Sequence, residues 1–113
     1  MSGIFGAVEL SAGVVKSVAT TNIAAPGGIV ASLNVCNRSN TPVEITVAVT
    51  TVLDTFDSAS QYIEYQTVLQ PHEAIERSGL TVQNGYWITV LSSGNFVNAT
   101  SWGISNGRTL VAP

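Results

Sequence analysis

Between Val43 and Thr50 the chain changes character at every step: Val43, Ile45, Val47 and Val49 alternate with Glu44, Thr46, Ala48 and Thr50. Successive side chains of a strand point to opposite faces, so a period of two buries one face of a sheet and no face of a helix. The same period appears upstream, where Ile29, Ala31, Leu33 and Val35 alternate with Val30, Ser32, Asn34 and Cys36. Between the two runs, Asn37-Arg38-Ser39-Asn40-Thr41 are turn formers or polar, and Pro42 opens the second run. The pair reads as an antiparallel hairpin.

Further strands come from the same logic. Gln61 to Leu69 is one, Glu73 to Leu80 another after the break at Pro71, and Gly13 to Thr21 is expected to be the first of the fold. Asn84-Gly85 suits a two-residue turn with positive φ at both central positions. It links Leu80-Thr81-Val82 to Tyr86 to Leu91, and Ser93-Gly94-Asn95 then turns the chain into Phe96 to Ile104. In that last strand Phe96, Trp102 and Ile104 share one face, and Val97, Ala99 and Gly103 the other. Gly, Thr, Val and Ser dominate, no long stretch favours a helix, and Val52 to Ser60 is expected to be a loop. The sum is an all-β chain: a single antiparallel β-sandwich, Ig-like or jelly-roll-like, of seven or eight strands over residues 13–104.

Residues 1–12 and 105–113 differ from this body. The first stretch holds Ile4, Phe5, Val8 and Leu10 with only weak alternation, and the second holds Leu110 and Val111. These six residues are the candidate interface. They are expected to lie on an N-terminal arm and a C-terminal tail that clasp adjacent subunits.

Charge narrows the function. Four Lys and Arg and seven Asp and Glu make up 10% of the 113 residues, against about 25% in soluble domains. A free surface so short of charge is poorly protected against association, so part of it is expected to be covered by partners. Lys16, Arg38, Arg77 and Arg108 are well separated and form no basic stripe, which argues against nucleic acid as a partner. No run reaches the ~18 apolar residues of a membrane helix, and Met1-Ser2 reads as a cytosolic start without a basic leader.

Chemistry is sparse. His72 is the only histidine and Cys36 the only cysteine; together they cannot build a zinc site of four nitrogen or sulfur ligands. Cys36 is expected to be a small buried hydrophobe, and His72 a solvated loop residue. Asp54, Asp57, Ser58 and Ser60 share a loop, but without the spacing of an EF-hand. Glu73 and Glu76 lie on opposite faces if extended, with Arg77 at hand for a salt bridge. No phosphate loop and no Gly-x-Ser-x-Gly elbow is present. Asn37-Arg38-Ser39 and Asn98-Ala99-Thr100 match the glycosylation sequon, a match ascribed to chance. Tyr62, Tyr65, Tyr86, Trp87, Phe96 and Trp102 could line a sugar groove, although strand aromatics more often fill cores or subunit joints. The expectation is a protein that is no enzyme, with no catalytic residue, no metal and no cofactor.

Four segments in order, Leu33-Asn34-Val35-Cys36-Asn37-Arg38, Tyr62-Ile63-Glu64-Tyr65, Ile75-Glu76-Arg77-Ser78-Gly79-Leu80 and Trp102-Gly103-Ile104, give the chain a likeness over residues 15–104. It resembles small virion structural proteins of tailed bacteriophages, above all those of phages infecting cyanobacteria and other marine bacteria. The resemblance implies one non-enzymatic β-sandwich on the particle and supplies no catalytic residue. Members often end soon after the Gly-Ile pair, so Ser105 to Pro113 departs from the pattern. The expected role is a capsid decoration or cement protein, made in the host cytoplasm and placed on the outer capsid surface. Its partners would be the major capsid protein and copies of itself, as a homotrimer. A tail, neck or baseplate component and a host-attachment carbohydrate-binding module are the alternatives, and a small hydrolase is the weakest.

Overall fold

Each alternating run becomes a strand. The computed structural model describes residues 2–20, 29–56, 61–82 and 86–105. These residues contain no helix and eight strands: β1 (Ser2–Leu10), β2 (Lys16–Thr20), β3 (Ile29–Asn37), β4 (Val43–Thr50), β5 (Gln61–Leu69), β6 (Ala74–Val82), β7 (Trp87–Ser92) and β8 (Val97–Ser105). They form two four-stranded sheets, β1-β8-β3-β6 and β2-β7-β4-β5. Every pairing is antiparallel.

The pairing has a simple generator. The first strand pairs with the eighth, the second with the seventh, the third with the sixth and the fourth with the fifth. The chain is thus one long two-stranded ribbon whose tip is the β4–β5 connection. Rolling the ribbon places its segments alternately in the two sheets, and the β3–β8 and β4–β7 pairings then complete each sheet. This is the double Greek key of a jelly roll. The all-β sandwich is as expected, and the strand order selects jelly roll over Ig-like.

The inner faces carry the core. Leu10, Ala31, Leu33, Val35, Val82, Val97 and Ala99 come from the first sheet, and Val18, Val43, Ile45, Val47, Leu69, Ile88 and Val90 from the second. Each fully buried Val, Leu or Ile contributes roughly 1.5–3 kcal/mol relative to exposure. On β3 the odd residues from Ala31 to Asn37 are buried while Ser32, Asn34 and Cys36 are half-buried, as the alternation predicts. Val97, Ala99 and Ser101 settle the two-faced last strand: they are its buried side.

Three expectations are corrected. Residues 2–10 are not an arm. They form β1, paired with β8 from Ser2 opposite Ile104 to Leu10 opposite Val97. The weak alternation has a local cause, a register shift between Ile4 and Gly6. Such an irregularity inserts a residue and reverses the facing of the rest of the strand. Gly6 itself is required, because a Cβ there would run into the Val18 carbonyl oxygen where β1 passes β2.

Secondly, β3 and β4 are not a hairpin. They lie in different sheets, so residues 38–42 arch across the core. The segments before and after Asn84-Gly85 are likewise parted between sheets, and the turn itself lies outside the described residues. Of all the connections only β4–β5 joins strands of one sheet. Thirdly, Gly13 to Thr21 yields the second strand, not the first.

Candidate functional site

The residues singled out as an interface divide. Leu10 is 1% exposed and sits in the core, so it is no anchor for a neighbour, while Val8 is half-buried and packs against that core. Ile4 and Phe5 belong to β1, where Ile4 stands opposite Trp102. Leu110 and Val111 lie outside the described residues.

The residues weighed for chemistry also find structural positions. Cys36 is free and half-buried, not a core residue; it stands opposite Ala74 and Asn98. His72 is exposed and its Nε2 is 3.1 Å from Asn40 Oδ1. Glu73 accepts the Gln70 N–H at its own turn, and Glu76 stands opposite Asn34. Arg77 pairs with neither of them: its guanidinium bridges to Glu64 of β5. Asp54 accepts the Ser17 N–H at 2.6 Å, while Asp57, Ser58 and Ser60 lie outside the described residues. No group of three or more His, Cys, Asp or Glu gathers among the described residues.

Asn37 is fully buried. Its Nδ2 donates to the carbonyls of Thr41, Leu69 and Gln70, and its Oδ1 accepts from Ser39 N–H and Ser39 O–H. An amide so enclosed is inaccessible to glycosylation in the folded chain. It also explains the arch: these bonds pull the end of β3 towards the end of β5, in the opposite sheet.

Two surfaces stand out among the described residues. The first is the end of the sandwich where the connections β1–β2 (11–15), β3–β4 (38–42), β5–β6 (70–73) and β7–β8 (93–96) meet. They are laced together: Asn95 Oδ1 accepts Ala12 N–H at 2.8 Å, Gly13 N–H donates to Ser92 O, Arg38 N–H to Phe96 O and Asn37 N–H to Glu73 O. Between them opens a cleft of about 510 Å³ lined by Arg38, Ser39, Asn40, Thr41, Asn95 and Phe96. Arg38 is held by Glu9 at 3.0 Å and by Asn98 Oδ1, with its guanidinium carbon 6.0 Å from the Phe96 ring centre.

The second surface is the outer flank of the second sheet. Phe56, Tyr62 and Tyr65 form a chain of ring contacts, with centroids 5.6 Å and 5.2 Å apart. Val52 and Leu53 lie on the same connection as Phe56, and Val68 lies further along β5. Of the seven large apolar side chains exposed among the described residues, five belong here: Val52, Leu53, Tyr62, Tyr65 and Val68. β5 is an edge strand. It carries neither Lys nor Pro, the residues that commonly protect such edges. Its one charged residue, Glu64, is engaged by Arg77 and by the Thr67 hydroxyl.

The six aromatics proposed as a sugar groove do not form one. Tyr62 and Tyr65 belong to the flank and Phe96 to the loop end, while Trp87 and Trp102 lie on strands of different sheets. Sequence reasoning missed Val52, Leu53, Phe56 and Val68, whose signal was an apolar loop beside a strand short of charge. In comparisons with known proteins, no family model, no curated protein and no solved structure matches the chain.

Proposed function

We propose that this chain is a non-enzymatic structural subunit of a tailed-phage particle, a capsid decoration or cement protein on the outer capsid surface. Its partners are the major capsid protein and further copies of itself, arranged as a trimer. The observation that carries the reading is the apolar flank made by Tyr62, Tyr65 and Val68 on the edge strand β5 and by Val52, Leu53 and Phe56 on the connection before it. In a chain with 10% charged residues, such a surface invites association in water. Covering it stabilises a joint by about 25 cal/mol per Å² of apolar area before association costs. The four segments resembling phage virion proteins point the same way. Jelly rolls serve in capsids, lectins and cupins alike, so the fold by analogy permits this role without selecting it.

The test is a count of copies per purified particle by quantitative mass spectrometry, with particles prepared without the protein. Hundreds of copies, and shells that assemble but break at lower temperature when it is missing, are the expected result. A few to a few dozen copies would move the protein to the tail, neck or baseplate. Its absence from particles would end the reading.

A further inference from the structure

We propose that the cleft at the loop end binds a neutral saccharide, stacked on Phe96 and hydrogen-bonded by Asn40, Thr41 and Asn95. This does not rest on the virion reading, since a capsid subunit, a tail subunit or a free protein could each carry such a site.

The first observation is Phe96. It lies in the bend before β8 with φ 63° and is 56% exposed. Glycine adopts that backbone freely, whereas a bulky residue there is a genuine outlier. Strain of this kind gathers at binding sites, where surrounding structure holds it in place. Here the Arg38 N–H bond to Phe96 O holds the backbone, and the Arg38 guanidinium lies over one face of the ring, so the opposite face is the platform for a ligand. An aromatic ring is thus presented to solvent at a position whose backbone favours a residue without one.

The second observation is what surrounds the ring. Asn40 and Asn95 each have the amide oxygen engaged, by His72 Nε2 and by Ala12 N–H. Their Nδ2 donors have no protein partner among the described residues. The Thr41 hydroxyl can donate or accept. No carboxylate lines the cleft, and the one cation, Arg38, is already matched by Glu9. The site therefore offers one apolar platform, fixed neutral donors and no net charge. An anion would find no uncompensated cation, and an apolar ligand would strip water from the two amides without replacing their bonds. A sugar ring has one face of C–H groups for the platform and a rim of hydroxyls for the amides. The cleft volume lies within the range of small-ligand sites.

The experiment is titration of the isotope-labelled full chain with neutral oligosaccharides of glucose, galactose, mannose and N-acetylglucosamine, alongside a sulfated oligosaccharide. It is followed by backbone amide shifts. Shifts confined to residues 38–41 and 95–96, with a Kd of about 1 mM for at least one neutral sugar, are expected. Phe96→Gly should weaken binding by about tenfold or more while leaving the rest of the spectrum in place, and Phe96→Tyr should preserve binding. Phe96→Asn, which also tolerates this backbone, should behave as Phe96→Gly and gives a second folded variant. The proposal is overturned if no neutral sugar moves these amides at about 20 mM, or if ringless variants bind equally well. It also falls if the shifts centre on Tyr62 and Tyr65, or if only the sulfated sugar binds.

Discussion

The two sheets give one inner face each to a common core, and they differ in what lies outside. On β3, central in the first sheet, the outer residues Ser32, Asn34 and Cys36 remain half-buried. On β4, its counterpart in the second, Thr46, Ala48 and Thr50 are as buried as their inward neighbours. Two neighbours contribute: β5, where the Thr46 hydroxyl accepts the Gln66 N–H, and at the Thr50 end the β4–β5 connection, whose Val52 carbonyl accepts the Thr50 hydroxyl. Residues 51–56 leave the tip of the ribbon and bond back across the outside of the second sheet, as far as Ser17 on β2. One outer face therefore has the polar residues expected of a wet sheet, while the other has become a small second interior. Covering it leaves an apolar rim, because Val52, Leu53 and Phe56 of the covering segment carry the exposed surface further out.

The sharpest way to break this comparison is to place the same side chain on both faces. Ala48→Lys must force a long cation into the covered outer face of β4, between Tyr62 of β5 and Thr89 of β7, where the native side chain is 0% exposed. It is expected to cost about 3 kcal/mol or more in chemical denaturation. Asn34→Lys stands opposite Glu76 on the neighbouring strand. It should change stability by less than about 0.5 kcal/mol. Equal costs would mean that the covered face excludes no water.

A smaller effect separates the two ion pairs that flank the sheets. Glu64 and Arg77 join β5 to β6, and so one sheet to the other, with side-chain exposures of 12% for Glu64 and 49% for Arg77. Glu9 and Arg38 join at 56% and 48% exposure. Removing Arg77 leaves a carboxylate that is mostly out of water, held among the described residues by the Thr67 hydroxyl. Arg77→Ala should cost roughly 1–3 kcal/mol, discounted because the lost guanidinium was itself half exposed. Arg38→Ala should cost under about 1 kcal/mol and lose most of that difference in high salt. Thermal unfolding of the two variants at low and high ionic strength distinguishes them.

The same contrast sets how much of the molecule is legible in its sequence. Period two marks the strands because one buried face suffices to produce it, and β3 to β6 lie close to where the alternation places them. Pairing is not legible. A five-residue polar turn serves an arch between sheets as well as a hairpin, and only the buried bonds of Asn37 decide between them. The β1 strand reads as an arm because one inserted residue near Gly6 interrupts the period. At the sites, the apolar character of Val52 and Leu53 stands in the sequence, but their place beside β5 depends on the tip folding back. Nothing in Asn95-Phe96-Val97 announces a positive φ at Phe96, since that conformation is imposed by the laced connections around it.

The covered face can be tested at its centre with the least disturbance of all. Thr50 O–H donates to Val52 O at 3.0 Å. A hydroxyl has one proton, so Thr50 must accept in its 2.8 Å bond with Thr89, and Thr89 must then accept from Ser17 at 2.9 Å. Ser17 Oγ accepts in turn from Asp54 N–H at 2.8 Å. One directed chain of hydroxyls thus runs from Asp54 through Ser17, Thr89 and Thr50 to Val52, crossing β2, β7 and β4 and returning to the segment it started from. Thr89→Val keeps the shape and removes the middle link. The Ser17 proton loses its acceptor and Thr50 loses a donor, at a cost of about 1–2 kcal/mol. If the chain is what clamps residues 51–56, hydrogen exchange at the Asp54 amide should accelerate in this variant, while amides of β3 keep their protection. Exchange that rises equally on both sheets would show instead that the substitution acts on the core they share.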